Sequence, residues 1–191
     1  MSGEAVEIEV KYRVSGRDLP ALERAVASRG AVLSSPIRQD DQAFAPQGWS
    51  YGQSKVGVTF ARLRTENGRH VFTIKTPVDN EMSCLEHETE VTDRDEMHRA
   101  VLAMGFFPTV RIVKTRRTAS LGDMQLCLDE VERAGLFIEI EKFASEAESG
   151  TAAQEELDRF ARSLGVALQR TTDTYDSLVR AAGEPAGVGS V

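Results

Sequence analysis

The chain is poor in cysteine. Cys84 and Cys127 are the two in 191 residues, and their spacing fits neither a metal site nor a disulfide, which suits a reducing compartment. Its three histidines, His70, His87 and His98, are scattered and read as structural or surface residues rather than ligands or catalysts. Positive charge is not in excess: 23 Lys and Arg against 30 Asp and Glu leave a formal net charge of -7. That excludes a broad, non-specific grip on nucleic acid, while local basic clusters still allow a polyanionic small molecule. No apolar run approaches membrane-spanning length, and the acidic N-terminus lacks the shape of a signal peptide. A soluble, cytoplasmic protein with no membrane partner is the expectation. There is no Gly-x-x-x-x-Gly-Lys loop, so nucleotide binding by a phosphate loop is not indicated. No internal repeat is visible.

What the chain does have is alternation. Val6-Glu7-Ile8-Glu9-Val10-Lys11-Tyr12-Arg13-Val14, read as a strand, turns Val6, Ile8, Val10, Tyr12 and Val14 to one face and Glu7, Glu9, Lys11 and Arg13 to the other. Alone, it would be an ordinary half-buried strand with a solvated charged face. The pattern recurs, however. Asn67-Gly68 sets a two-residue hairpin turn between strands at about Val56–Thr65 and Arg69–Thr76. That turn fixes Arg64 opposite Val71, Arg62 opposite Thr73 and Phe60 opposite Lys75, so Arg62, Arg64 and Lys75 share a face. Cys84–Val91 puts Glu86, Glu88 and Glu90 on one side. A meander follows over Val110–Ser120, Met124–Val131 and Leu136–Phe143. In it Lys114 and Arg116 alternate with Val113 and Thr115, Asp129 sits among apolar neighbours, and Glu139 and Glu141 alternate with Ile138 and Ile140.

Helices are expected where apolar residues recur at one-face spacing. The first is capped by Asp18 and buries Leu19, Leu22 and Val26. The second is capped by Thr92 or Asp93, with Met97, Ala100, Val101 and Met104 in line. A third opens on a capping box from Thr151 to Gln154 after a linker at Ser145–Gly150, and a fourth spans Asp173–Ala182. Arg38–Phe44 reads as a short strand, followed by a loop over residues 46–55 that carries Trp49 and Tyr51, candidates for stacking on a base or serving as a lid. About eight strands with tight turns exclude a parallel sheet with helical crossovers. An α+β protein is expected, an eight-stranded antiparallel β-barrel with a charged interior and helices packed outside. Residues 1–182 form its single domain and residues 183–191 a disordered tail.

If the charged faces converge, the basic set is Lys11, Arg62, Arg64, Lys75, Lys114 and Arg116, with Arg13 a further candidate. The acidic set is Glu7, Glu9, Glu88, Glu90, Asp129, Glu139 and Glu141. So many ionisable groups cannot be enclosed dry, because an unpaired buried charge costs roughly several kcal/mol. Phosphoryl or nucleotidyl transfer uses both sets: Arg and Lys grip phosphate oxygens, and carboxylates hold Mg²⁺ or Mn²⁺. Six basic groups suit a triphosphate better than a single phosphate.

These elements, in order, resemble the CYTH superfamily, the triphosphate tunnel metalloenzymes, which include class IV adenylyl cyclases and thiamine triphosphatases. The resemblance is carried by Glu7-Ile8-Glu9-Val10-Lys11, Arg62-Leu63-Arg64, Lys75, Glu88-Thr89-Glu90, Lys114-Thr115-Arg116, Asp129 and Glu139-Ile140-Glu141. It implies a tunnel in which Lys11, Arg62, Arg64, Lys75, Lys114 and Arg116 hold phosphates. Glu7, Glu9, Asp129, Glu139 and Glu141 would hold metal, with Glu88 and Glu90 either joining them or pairing with an arginine. It also implies that Lys11 orients or deprotonates a nucleophile. The implied partners are small-molecule triphosphates (ATP, thiamine triphosphate or tripolyphosphate), and the protein would be a monomer or homodimer. The class IV cyclase reaction is the leading reading. A triphosphatase and a non-catalytic polyphosphate- or nucleotide-binding module are the alternatives. The segment Asp41-Gln42-Ala43-Phe44 departs from the Asp-x-Tyr-Phe-like strand of many relatives, so no nucleoside contact carries over from it.

Overall fold

The computed structural model describes residues 5–145 and 150–183. In chain order the elements are β1 (Ala5–Val14), α1 (Leu19–Ser28), β2 (Ile37–Pro46), β3 (Phe60–Glu66), β4 (Arg69–Pro77) and β5 (Ser83–Val91). They continue with α2 (Arg94–Ala103), β6 (Phe106–Leu121), β7 (Met124–Val131), β8 (Gly135–Ser145), α3 (Gly150–Ser163), β9 (Leu168–Thr171) and α4 (Tyr175–Gly183). Every strand pairing is antiparallel. The sheet runs β5-β4-β3-β2-β6-β7-β8-β1-β9, and a β1–β5 pairing closes it into an eight-stranded barrel. The expected architecture is therefore present. The ninth strand was not anticipated.

β1 organises the closure. One edge pairs with β8 from Ala5 to Val14, while the other edge is divided. Val6–Ile8 pair with Leu85–Ser83, and Lys11–Val14 pair with β9. The β1–β5 seam is thus short, and β9 satisfies the backbone groups that it leaves along the rest of β1.

Sidedness is the central property of the sheet. Val6, Ile8, Val10, Tyr12 and Val14 are buried on the outer face with Leu126, Leu128, Ile138 and Ile140, under Leu22 and Val26 of α1, Leu157 and Ala161 of α3, and Leu164 just beyond it. A second outer cluster joins Phe44, Ala61 and Leu63 to Val101 of α2. The hydrophobic driving force thus acts outside the barrel wall and leaves the interior to polar side chains. The fourth helix contributes Tyr175 and Val179 to a cluster with Ile112, Val131 and Phe137, which face the same way as the interior charges.

Local expectations fare unevenly. The β3–β4 register is as the turn dictates, with Asn67 at φ 49 and Gly68 at φ 77, the left-handed pair a two-residue hairpin requires. The strand starts at Phe60, however, because residues 56–59 belong to the preceding loop. Asp93 caps α2, its side chain accepting from the backbone of Asp95 and Glu96. Asp18 makes no side-chain capping bond. Of the four residues aligned on α2, Val101 is buried and Met104 is exposed. The capping box does not form: Thr151 already lies inside α3, and Gln154 donates instead to the carbonyls of Glu9 and Met82. Most of the linker and the tail from residue 184 lie outside the described residues.

Candidate functional site

Because neighbouring strands pair in register, residues of like parity form continuous rows across the inner wall. One row runs Lys11–Glu139–Cys127, another Arg64–Asp41–Ile112, and a third Phe60–Lys75–Glu86. They surround a cavity of about 420 Å³, within the roughly 300–1,000 Å³ range of ligand sites. All six expected basic residues, Lys11, Arg62, Arg64, Lys75, Lys114 and Arg116, line it, as do Glu7, Glu9, Glu88, Glu139 and Glu141.

Each cation already has an anionic neighbour. Lys11 Nζ lies 3.1 Å from Glu139, 3.4 Å from Glu9 and 3.3 Å from the carbonyl of Asp173. Arg64 donates two parallel hydrogen bonds to Asp41, at 2.8 and 2.7 Å. Arg62 donates to Thr73 at 3.0 Å and to Glu88 at 3.3 Å. Lys75 pairs with Glu7 at 3.3 Å and also with Glu86. Arg116 joins Asp129 to Glu139, and Lys114 reaches Asp129 at 3.1 Å.

The protonation of these groups follows from crowding. Burial pulls Lys11 down, but Glu9 and Glu139 more than reverse it and hold its pKa above the ordinary lysine value. A lysine held charged in this way is suited to orienting an oxygen rather than to removing a proton. Lys114 is the opposite case: burial and the neighbouring Arg116 lower its pKa. Burial also opposes ionisation of Glu7, but Lys75 prevails and brings it down to about 2. Asp41 likewise falls to about 2, Arg64 outweighing burial. Burial, with Glu7, Glu139 and Glu9 nearby, pushes Glu141 up to about 8. Burial and Glu139 raise Glu9 as well.

The ligand oxygens of Glu7, Glu9 and Glu141 lie within 4.8 Å of one another, close enough to share one cation. An all-oxygen, carboxylate-rich set fits a hard divalent ion such as Mg²⁺ or Mn²⁺. Four residues of the anticipated metal set are elsewhere, among them Glu88, which lines the cavity but pairs with Arg62. Glu90 pairs with Arg69 in an exposed position outside the cavity. Asp129 is fully buried, its carboxylate accepting from Lys114, Arg116 and Tyr175. Glu139 lines the cavity but bridges Lys11 and Arg116. Arg13, the additional basic candidate, donates to the carbonyl of Ala134 and stacks on Phe137. Sequence reasoning missed Asp41, Glu86 and Tyr175. Glu86 shares the parity of Glu88 and Asp41 faces Arg64 across β2–β3, so both follow once the pairing is known. Tyr175 enters from α4: its hydroxyl donates to Asp129 at 2.8 Å, and Lys11 and Lys114 sit 4.3 and 4.7 Å from its ring centroid.

A closed antiparallel barrel with mixed basic and acidic groups around a central cavity defines a class of tunnel proteins built for polyanions together with metal. The CYTH domain model matches residues 5–175, and the chain belongs to that family, whose tunnel enzymes are metal-dependent. It is 30% identical over 107 residues to a Methanocaldococcus jannaschii protein named "Putative adenylate cyclase MJ0240"; the matched stretch is 55% of this chain and 61% of that relative. The fold is shared with PH1819 of Pyrococcus horikoshii OT3 (TM-score 0.76, 25% identity, covering 92% of this chain and 98% of that one). It is also shared with a Hippeastrum protein (TM-score 0.64, 17% identity, covering 95% and 98%) described as "Putative adenylyl cyclase HpAC1" that reveals a dominant triphosphatase activity. No helix among the described residues is long and apolar enough to cross a membrane.

Proposed function

We propose that this protein is a divalent-metal-dependent enzyme acting on a triphosphate held inside the barrel, and that its reaction is that of an adenylyl cyclase, converting ATP to cyclic AMP and pyrophosphate. The observation that carries this reading is the meeting, in one cavity, of the Glu7–Glu9–Glu141 cluster with six basic side chains. An anion-binding module alone would be better served by the bases without the carboxylates. The name of the Methanocaldococcus relative supports the cyclase reading.

In this reading Arg62, Arg64, Lys75, Lys114 and Arg116 bind the phosphate chain, exchanging their present carboxylate partners for phosphate oxygens. Glu7, Glu9 and Glu141 hold Mg²⁺ or Mn²⁺, which relieves negative charge as it builds up on the phosphates. Lys11, kept cationic by Glu9 and Glu139, orients the reacting oxygens. The ribose 3′-hydroxyl gives up its proton to solvent water, its oxygen bonds to the α-phosphorus, the bond from that phosphorus to the α–β bridging oxygen breaks, and pyrophosphate leaves with that oxygen. Asp129 and Glu139 hold Arg116 and Lys114 in place rather than binding metal.

Incubation with ATP, thiamine triphosphate and tripolyphosphate, each with Mg²⁺ or Mn²⁺, tests the proposal. Cyclic AMP with pyrophosphate is the expected result. Orthophosphate with the matching diphosphate, and no cyclic AMP, would replace the cyclase with a triphosphatase, and tight binding without products would leave only a binding module.

A further inference from the structure

Tyr175, the first residue of α4, lines the charged cavity, and two of the cavity's cations lie over its ring. Lys11 Nζ is 4.3 Å and Lys114 Nζ 4.7 Å from the ring centroid, inside the roughly 6 Å over which a ring face attracts a cation. What else holds the two lysines is different. An ammonium group has three donors. Lys11 has an acceptor for each of them in Glu139, Glu9 and the carbonyl of Asp173, two residues before Tyr175. Lys114 donates to Asp129 alone, a carboxylate it shares with Arg116. It is nonetheless buried and lines the cavity. Among the described residues, its two other donors have no acceptor, and the Tyr175 ring is its second partner.

A ring does here what another carboxylate would not. Burial, with Glu139 and Asp129 nearby, raises the Tyr175 pKa well above the ordinary phenol value, so the hydroxyl keeps its proton and donates it to Asp129 at 2.8 Å. A further carboxylate at this place would compete with phosphate for both ammonium groups. The quadrupole of a neutral ring attracts them and leaves their N–H donors unspent. The ring is itself fixed, since Phe137 packs edge-on to it at 5.4 Å and Val179 of the same helix is buried in the same cluster.

We propose that Tyr175 is a positioning residue for the polyanion: its ring keeps the ammonium groups of Lys114 and Lys11 aimed into the cavity, and the two spare donors of Lys114 are reserved for phosphate oxygens. The inference rests on the tunnel reading above and adds to it a residue that acts through the two lysines.

Calorimetric titration of the full chain with tripolyphosphate and Mg²⁺ provides the test. Tyr175→Leu removes the ring, and Tyr175→Phe removes the hydroxyl alone, leaving Asp129 with Lys114 and Arg116. Val179→Ala loosens α4 without altering the ring. Tyr175→Leu should bind about tenfold or more weakly than the unmodified protein, whereas Tyr175→Phe and Val179→Ala should stay within about threefold. The unmodified protein gives a second readout by NMR. Of its five lysines, two should show ε-methylene protons shifted upfield by the ring, both before and after tripolyphosphate is added. If Tyr175→Leu fails to fold, these resonances decide the matter. Unchanged affinity in Tyr175→Leu, an equal loss in Tyr175→Phe or Val179→Ala, or five lysines without an upfield shift would overturn the proposal and leave the tunnel reading standing. If the unmodified protein does not bind tripolyphosphate, both fall.

Discussion

Asp129 separates two roles that look alike in the sequence, metal ligand and internal counter-charge. It is fully buried and accepts from Lys114 at 3.1 Å, from Arg116 at 2.7 and 2.5 Å, and from the Tyr175 hydroxyl at 2.8 Å. Asp129→Asn keeps the shape and removes the charge, leaving Glu139 as the remaining carboxylate paired with Arg116 and taking from Lys114 its salt bridge. Removing one partner of a buried ion pair costs roughly 3–5 kcal/mol, a large share of a domain's total of about 5–15 kcal/mol. With a urea m-value of about 1–3 kcal/mol/M, the unfolding midpoint should fall by about 1–5 M at pH 7. The difference should also depend on pH. Although burial alone would raise it, Lys114 and Arg116 hold the Asp129 pKa far below its ordinary 3.8. Its contribution is therefore complete above the unfolded-state value and is lost as pH falls through the folded one, so wild type and variant should converge below about pH 4. Mg²⁺ affinity, measured by calorimetry on the folded variant, should stay within a few-fold. An unchanged midpoint together with lost Mg²⁺ binding would refute the reasoning and return Asp129 to the metal set.

Three further outcomes follow from the same geometry. Arg62→Ala should weaken binding of tripolyphosphate far more than that of orthophosphate, since Arg62, Arg64 and Lys75 share one face of the β3–β4 hairpin and only an extended chain of phosphates reaches several of them at once; an equal loss for both would remove Arg62 from the phosphate site. Arg64→Ala should in addition cost about 3–5 kcal/mol in urea unfolding, because it strands the buried Asp41. The thermal stabilisation given by Mg²⁺ should grow between about pH 6.5 and pH 9. Burial and nearby carboxylates raise Glu141 to about 8, so the empty protein loses stability as pH rises from the ordinary carboxylate value through that point, and an ion that replaces the proton restores it. A pH-independent Mg²⁺ shift would contradict the Glu7–Glu9–Glu141 assignment.

Alternation made the inner wall legible because a two-residue period assigns a face with no knowledge of the partners. The Asn67-Gly68 turn went further and fixed which residues of β3 and β4 stand opposite each other. Alternation says nothing about depth along the barrel, and the expectations that fail are those that needed it. Glu90 has the parity of Glu88 but sits one pair further out, beside Arg69. Arg13 has the parity of Lys11 but lies beyond the cavity against Phe137. β9 is four residues, Leu168–Thr171, too short to display a period, and it forms because β5 leaves part of β1's edge open. Tyr175 and Asp176 reach the cavity through the packing of α4, a long-range event that leaves no local signature.

The same sidedness explains why the barrel tolerates its interior. Cohesion comes from the layer outside the wall, where β1, β7 and β8 bury their apolar faces under α1 and α3, so the inner groups need only balance one another. They do so by sharing: Glu139 serves Lys11 and Arg116, Asp129 serves Lys114 and Arg116, and Lys75 serves Glu7 and Glu86. A polyanion that draws Lys75 away releases Glu7, which is one of the three carboxylates close enough to take a cation. A cation on that cluster in turn frees Lys75 for phosphate. Each ligand thus prepares the site for the other, and thermodynamic linkage requires the advantage to be equal in both directions. An interior of paired charges, held by a hydrophobic layer that does not depend on them, can exchange its partners without unfolding.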